Sequence, residues 1–581
     1  MKDFKSLKKN LRSDLSALPH VKVALLGDTA TQLLATAIAG MGVERGYHFQ
    51  IFEADYNQIE LQLSSQSSEL YEFDPEFIVI FQSSHKLLER HARLSVEQQA
   101  ALSDERIDFV ESIIGLPALK DKKIIYFNYA EIDDTVFGSY ASKVTSSFTY
   151  VVRKINIALM EMSRRHPNLY LCDISSLQNE FGRDMMFSPN IYVATDMVLS
   201  VSILPYVASR VTDIISAIKG NFKKCLILDL DNTLWGGVIG DDGIGGIQIG
   251  HDLGIGKAFM EFQLWVRKLR QRGIIVCVVS KNEESAAKEP FEHHPDMVLS
   301  LDDIAVFLAN WETKVDNIRT LQKILNIGFD SMVFIDDNPF ERNIVRENIE
   351  GIVVPEMPED PADYLEYLYS LNLFETASSS QADQDRTRQY QIEAQRVSLS
   401  KTFSNEADFL ESLHMEAEVS GFDSFKTPRV AQLSQRSNQF NLRTIRYSEL
   451  EIAELHNNPD VIDLAFILKD KFGDNGLVCA IVLRKQDNHT AFIESWFMSC
   501  RVLKRGMEKF TLNIIAQKAR EAGYDRLVAE YIPTAKNRLV EHHYDDLGFH
   551  FLNENAQTGV KTYELLLDNY IPKNNFISLK S

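Results

Sequence analysis

The stretch from Cys225 to Trp235, CLILDLDNTLW, restricts this chain more than any other. An unbroken apolar run of this kind fits a strand buried on both faces of a parallel sheet. It ends in Asp229 and Asp231, which the two-residue period of a strand sends to the same side. Two carboxylates on one side at the mouth of a sheet repel each other, and a hard divalent cation, Mg²⁺ above all, relieves the repulsion. Its charge also screens an incoming phosphate from the acids. Taken singly, such a pair is more often an N-cap or a surface turn.

Three further segments change that balance. SMVFIDD ends in a second acidic pair, Asp336-Asp337, just before Pro339, where a helix cap is the competing reading. GIIVCVVS ends in Ser280, and Lys281 and Asn282 follow it, so hydroxyl and amide donors come to the same sheet edge. Lys314 opens a predicted helix, where its charge is unfavourable unless an anion compensates it. After Trp235, the segment GGVIGDDGIGGIQIG is too short for an inserted cap domain. It reads as a hairpin flap with Asp241-Asp242-Gly243 at its turn, either a small cover over an open site or a plain connection.

A length of 581 residues argues for about three domains. The net charge of -21 excludes nucleic acid or an anionic membrane surface as the main partner. Five scattered cysteines without CxxC spacing suggest neither a disulfide framework nor a zinc site. No signal peptide is read at the N-terminus and no apolar run reaches membrane-spanning length, so a cytoplasmic protein is expected.

From Val21 to Gly220, β-rich runs (VKVALLG, FIVIFQ, KKIIYFNY, LYLCDI) alternate with helical stretches, which predicts a parallel α/β layer domain over residues 1–220. A second βα series over 221–375 has strands CLILDLD, GIIVCVVS, MVLS, SMVFIDD and GIVVPE, the pattern of a doubly wound sheet. Between Glu375 and Lys401 the chain becomes polar and loses its apolar period, as an exposed connector does. The remainder of 376–581 mixes helices with the strands LAFILKD, GLVCAIVLR, TAFIESWFMSC, RLVAEY and KTYELLL, some antiparallel, which predicts an α+β unit. The fold class is thus α/β in three domains.

The order of the middle segments resembles the four motifs of the haloacid-dehalogenase (HAD) superfamily: DLDNT, Ser280, Lys314 and FIDDNPFER, over about Lys223 to Pro355. The resemblance implies a doubly wound sheet with a minimal cap and covalent phosphoryl transfer. Asp229 is then the nucleophile that becomes an aspartyl-phosphate, and Asp231 the general acid and base. Thr233, Ser280, Lys281, Asn282 and Lys314 bind the phosphoryl group. Mg²⁺ is held by Asp229, the Asp231 backbone carbonyl, Asp336 and Asp337. Receiver domains of phosphorelays share carboxylates, Ser/Thr and Lys on such a sheet, but lack an acid two residues after the acceptor. Asp231 and Thr233 therefore favour a turnover enzyme.

The strings DLDNTLWGGVIGDDG, SKNEE, NWETK, FIDDNPFER, RVAQLSQRSNQFNL and SCRVLKRGMEKF together resemble the FkbH-like family, from Lys223 to the C-terminus. That likeness implies cleavage of an acyl phosphate such as 1,3-bisphosphoglycerate and loading of a glyceryl-type unit on the phosphopantetheine of an acyl carrier protein. The third domain resembles a GNAT-type acyltransferase that handles a carrier or acyl-CoA through Cys500, Arg501, Lys504, Arg505 and Gly506, with Gln439 and Asn441 as further contacts. Arg443 beside them fits either a substrate contact or a helix-end hydrogen bond. Val279 stands where several acyl-loading relatives carry Cys, and Cys277 lies two residues back, which leaves the acyl donor open. The first domain, with Gly27-Asp28-Thr29, resembles SGNH hydrolases with Thr29 in place of the nucleophilic Ser. Asn128 and His85 are further candidates there, but Asp196 is followed by no His at the needed spacing, so a non-catalytic domain is expected. The other readings are a stand-alone phosphatase acting on a phosphorylated small molecule and a non-catalytic scaffold that binds phosphorylated partners.

Overall fold

Buried apolar runs build the first of two units, Met1–Ile218, around one parallel sheet. Its strands are β1 (His20–Gly27), β2 (His48–Glu53), β3 (Phe77–Phe81), β4 (Lys123–Phe127) and β5 (Leu169–Cys172), in the order β2-β1-β3-β4-β5. Four of the five coincide with the apolar runs expected. The fifth, β2, escapes that reading because it is the sheet edge, where His48, Gln50 and Glu53 interrupt the apolar pattern. The computed structural model describes residues 2–252, 254–378, 386–400, 402–437, 439–534 and 536–580. Among these, no helix is long and apolar enough to cross a membrane.

The second unit, Lys219–Ser581, holds two sheets. In the first of these, β6 (Cys225–Leu228), β7 (Ile275–Ser280), β8 (Val306–Ala309) and β9 (Met332–Ile335) run parallel in the order β8-β7-β6-β9. Leu226 and Leu228 pack on one face and Cys225 and Ile227 on the other, the two-sided burial that a doubly wound sheet requires. MVLS is not a strand. The amides of Val298 and Leu299 donate to Oε1 of buried Gln263 at 3.1 and 3.2 Å, which removes them from any ladder. The sheet continues instead at Val306–Ala309, and GIVVPE contributes a bridge of Val353 to Val333.

Two other expectations need correction. The polar connector includes a helix, Arg386–Ser400, whose Tyr390 and Ala394 pack on the Cys225 face of this sheet. Gln391 Nε2 donates to the Ile304 carbonyl at 2.9 Å. Its apolar stripe is too thin to stand out among so many polar residues; residues 379–385 and 401 of the connector lie outside the described set. The flap is closed by a single antiparallel pair, Gly236 with Gln248. Its tip is one helical turn, Ile239–Asp242, not a hairpin turn, because Asp242 Oδ2 accepts the Val238 amide at 2.8 Å.

The last sheet is mixed and eight-stranded: β10 (Met415–Ser420), β11 (Val461–Asp470), β12 (Gly473–Lys485), β13 (Thr490–Met498), β14 (Arg526–Tyr531), β15 (His550–Glu554), β16 (Lys561–Leu566) and β17 (Ile577–Leu579), in the order β15-β16-β14-β13-β12-β11-β10-β17. The parallel pairing of β13 with β14 stops at Ile493 and Ala529. Beyond it the chain's own Phe440–Leu442 enters the gap: Met498 N donates to Phe440 O at 3.0 Å, Leu442 N to Trp496 O at 3.2 Å, and Ile532 N to Leu442 O at 2.9 Å.

Candidate active site at the carboxyl edge of the second sheet

The carboxyl ends of β6, β7 and β9 bring three of the four motifs to one edge, and the helix Lys314–Leu325 supplies the fourth. Asp229 leaves β6 with its amide still paired to Ile335 O at 3.0 Å, which fixes it beside β9. Asp229, Asp336 and Asp337 each bring a carboxylate oxygen into a group that lies within 4.8 Å. This all-oxygen set suits a hard cation. Lys314 Nζ sits 2.8 Å from Asp229 Oδ2 and also pairs with Asp336 Oδ2.

Charge balance in this cluster is incomplete. Burial and then the Asp229 charge push Asp336 up to about 7, and the same two causes raise Asp337. Burial alone would lower the Lys314 ammonium, but the Asp229 and Asp336 carboxylates outweigh it and raise it above its ordinary value. One lysine does not neutralise three acids, and that deficit is what a divalent cation would fill.

The other expected residues divide by what holds them. The Asp231 carboxylate stands outside the acidic group, fixed by Trp235 Nε1 and Ile239 N at 3.0 Å each and by Asn282 Nδ2 at 2.8 Å. Asn282 also donates to Ser280 Oγ at 3.1 Å, so the Ser280 strand end and Asp231 form one hydrogen-bonded line. Asn232, between the two aspartates, has φ +53°, a left-handed conformation that Asn tolerates best among side-chain-bearing residues. Thr233 is spoken for: its hydroxyl accepts the Asp337 amide at 3.2 Å and lies 3.4 Å from Asp337 Oδ1. Lys281 turns away to Glu341 Oε1 at 2.5 Å. Both are expected from sequence to bind the phosphoryl group, and each has an intramolecular partner in this structure.

One residue that sequence reasoning passed over organises the acidic pair. Arg342 is buried, and its Nη1 donates to the carbonyls of Asp336 at 2.9 Å and Asp337 at 2.6 Å. Its signal was present in FIDDNPFER, as an arginine one helical turn and a half after the acids.

A family model described as "FkbH, N-terminal domain" matches residues 22–216. A crystal structure of the N-terminal part of the protein BF1531 from Bacteroides fragilis, containing a phosphatase domain complexed with Mg, is 58% identical, covering 65% of this chain and 100% of its own, with a TM-score of 0.64. This chain belongs to the FkbH-like family. It is accordingly an enzyme with a HAD-type phosphatase domain. No curated protein matches it. The ribosomal-protein-S18-alanine N-acetyltransferase from Escherichia coli is similar over 27% of this chain and 99% of its own, at 14% identity and a TM-score of 0.21, too slight a likeness to carry weight.

In the FkbH-like chain, the seven residues expected to handle an acyl carrier do not form one site. Gln439, Cys500 and Arg501 line a cavity of about 440 Å³, whereas Lys504 and Gly506 line another of about 480 Å³, and Phe440 borders both. Arg505 belongs to neither: it pairs with Glu393 and lies 3.7 Å from Asp470 in a buried network shared with Arg396. Asn441 is buried in the wedge between β13 and β14, where Asn537 Nδ2 donates to its carbonyl at 3.1 Å. Arg443 pairs with Glu530 at 3.1 Å and donates to Glu494 O at 3.0 Å.

Cys500 packs against the Cys225 face of the phosphatase sheet, and its carbonyl accepts from Asn326 Nδ2 at 2.7 Å. The loop therefore meets the sheet's amino-end side, with β6, about 13 Å for four residues, between it and Asp229. Cys277 is fully buried, with its Sγ 3.9 Å from Cys225 Sγ.

In the first unit, Thr29 is fully buried with its hydroxyl unpartnered, Asn128 caps Ile174 and binds Asp173 at 2.6 Å, and His85 packs on Phe187 and Tyr192. Asp196 instead pairs with Lys86 at 2.9 Å. Asp28 accepts the Ser83 amide at 2.9 Å, but the atoms packed round its carboxyl push it up to about 7. A folded-state value above the unfolded one is a stabilising contribution at low pH that is lost as pH rises through 7. Asp28→Asn keeps the acceptor oxygen without the charge. It is expected to raise the melting temperature at pH 8 and leave it unchanged at pH 4, as followed by circular dichroism.

Proposed function

We propose that the phosphatase domain works through Asp229 as the nucleophile on phosphorus. The observation that carries this is the three-carboxylate group with Lys314 bridging Asp229 and Asp336. Lys314 holds the Asp229 carboxylate in place at 2.8 Å, and Ser280 and Asn282 offer donors to the phosphoryl oxygens. Asp231, oriented by Trp235, Ile239 and Asn282, gives a proton to the leaving group and then takes one from the water that hydrolyses the aspartyl-phosphate. Asp229, Asp336, Asp337 and the Asp231 carbonyl would hold Mg²⁺, the metal of the Bacteroides relative, which supplies charge neutralisation when bound. Arg342→Gln removes the donor that holds the Asp336 and Asp337 carbonyls. We expect roughly 10- to 100-fold weaker Mg²⁺ affinity, the usual effect of losing a ligand's supporting partner, read as a higher half-saturating Mg²⁺ concentration for phosphate release.

The finer reading is that the chain serves an acyl carrier protein, with the divisions 1–220, 221–375 and 376–581 as its working parts. An acyl phosphate such as 1,3-bisphosphoglycerate is the donor and a phosphopantetheine thiol the acceptor. Supporting it is the 480 Å³ cavity beside the amino end of the helix Met507–Glu521, where Lys504 and Lys509 would meet an anionic phosphopantetheine. Incubation with Mg²⁺, 1,3-bisphosphoglycerate and an acyl carrier protein should add a glyceryl mass to the carrier. The second reading, a phosphatase of small metabolites in the cytoplasm, is favoured by Val279 at the Cys position and by the sheet that separates Cys500 from Asp229. Phosphate release without any gain in carrier mass would select it.

A further inference from the structure

Between Cys225 and Phe374 the described residues expose four large apolar side chains, and three of them stand on loops at the carboxyl edge of the phosphatase sheet. Trp311, 74% exposed, lies in the connection from β8 to the helix Lys314–Leu325. Phe340, 64% exposed, is in the first turn of the helix Pro339–Asn348 that follows β9. Val238, 36% exposed, caps the helical turn of the flap. The fourth, Tyr369, belongs to the helix Tyr364–Ser370. Single exposed apolar residues are ordinary, but several gathered on the loops of one sheet edge mark a binding surface.

Each of the three is tied to a residue of the site. Asn310 N donates to Ser280 O at 3.2 Å, and Trp311 is the next residue. Chain length alone keeps the Trp311 and Lys314 Cα atoms within about 11 Å of each other. The loop between them is fixed, because Asn310 exchanges hydrogen bonds with Asn317 at 2.8 and 3.1 Å and accepts the Glu312 amide at 3.0 Å. Phe340 N donates to Asn338 Oδ1 and Asn338 N to Asp336 Oδ1, both at 2.9 Å. Val238 precedes Ile239, whose amide holds Asp231. In the order β8-β7-β6-β9, Trp311 and Phe340 follow the two outer strands, which are about 14 Å apart, with Asp229 between them.

The groups that would grip a phosphoryl oxygen lie deep: Ser280, Asn282 and Lys314 are buried, and the Asp229 side chain is 9% exposed. The organic part of a phosphate ester therefore stays outside them, against the rim. An exposed indole and phenyl ring hold a flat apolar surface better than a polyol. The charges of the rim do not welcome a second anion. Among the described residues, the exposed charges on these three loops are acids, Glu312, Asp241 and Asp242, and Lys281 nearby is held by Glu341 at 2.5 Å. We infer that Trp311, with Phe340 and Val238, sets the specificity of the phosphatase site for monoesters of apolar, uncharged alcohols, aryl esters above all. The inference rests on Asp229 as the nucleophile, not on the carrier reading, and it favours a small-metabolite substrate over a donor with two phosphates.

Two measurements on the full chain in Mg²⁺ test it, one without turnover. In calorimetric titration, phenylphosphonate should bind about tenfold tighter than methylphosphonate, the effect of one good aromatic contact. Trp311→Ala should abolish that advantage, and Trp311→Phe, which keeps a ring, should recover most of it. With turnover, the ratio of kcat/KM for phenyl phosphate to that for glycerol phosphate should fall about tenfold in Trp311→Ala, a comparison in which the intrinsic reactivity of the two esters cancels. Trp311 is exposed, so its variants should keep the parent's melting temperature. Equal affinities for the two phosphonates, or an unchanged ratio in Trp311→Ala, would overturn the role of the rim. Phosphate release that persists in Asp229→Asn would overturn the nucleophile instead, and the phosphonate comparison would still decide the rim.

Discussion

Replacing Asp229 by Asn is expected to abolish Mg²⁺-dependent release of phosphate, lowering kcat by on the order of 10⁴-fold or more, as removal of a covalent nucleophile does elsewhere. The chain should stay folded. An amide fits the same space, and its oxygen can still accept the Lys314 ammonium that now lies 2.8 Å from the carboxylate. The measurement is release of inorganic phosphate from a generic phosphoester at saturating Mg²⁺, with melting temperature as the control. Activity within tenfold of the parent would remove Asp229 from the nucleophile's role. A parent that releases no phosphate at all would instead return the chain to a reading in which the acidic edge binds phosphorylated partners without turnover.

Lys314→Met is expected to produce the largest loss of stability. The lysine side chain is 5% exposed and stands between Asp229, at 9%, and Asp336, at 0%. Methionine fills the space but leaves two buried carboxylates without a cation, a change worth about 3–5 kcal/mol where one partner of a buried pair is removed. Mg²⁺ should restore part of it. A ligand at a hundredfold its Kd contributes about 2.7 kcal/mol. The parent protein should show the related effect in its pH dependence. Asp336, held at about 7 by burial and then by Asp229, binds its proton more tightly folded than unfolded. Metal-free stability from this group is therefore lost as pH rises from about 4 through 7, and Mg²⁺ should offset the loss. Denaturant unfolding of both proteins, in EDTA and in Mg²⁺ across that range, checks all three expectations.

How far the site could be read from the sequence depends on the residue. Asp229 and Asp231 are two apart on one strand, and Asp336 and Asp337 end a parallel neighbour, so strand period and topology already bring them to a common edge. Lys314 follows from its place at a helix start beside acids. The intramolecular partners of Thr233 and Lys281, Asp337 and Glu341, could not be read in advance because they lie 104 and 60 positions away. Arg342 was missed for a similar reason. On a helix it looks like surface charge, and only burial against the two carbonyls gives it a function.

The eight-stranded sheet and its loops show the same division more sharply. Its alternating runs announce strands, but the run Cys500–Gly506 says nothing about which way each side chain faces. Packing against the phosphatase sheet turns Cys500 and Arg501 to one cavity, Lys504 and Gly506 to another, and Arg505 into a buried ion network. The polar stretch that looked like a connector folds as a helix because Tyr390 and Ala394 find a waiting apolar surface on that sheet.

By itself, then, the sequence determined three of the four strands of the phosphatase sheet, Cys225–Leu228, Ile275–Ser280 and Met332–Ile335, and the acidic chemistry at their ends. Those properties rest on local period and on short-range geometry, which a string of residues carries. Only the tertiary structure decided which cations stay with the acids and which are drawn to other partners. It also decided that Phe440–Leu442 fills the gap between β13 and β14. Such contacts join residues separated by tens to hundreds of positions, and their outcome follows from how buried surfaces fit rather than from any spacing along the chain.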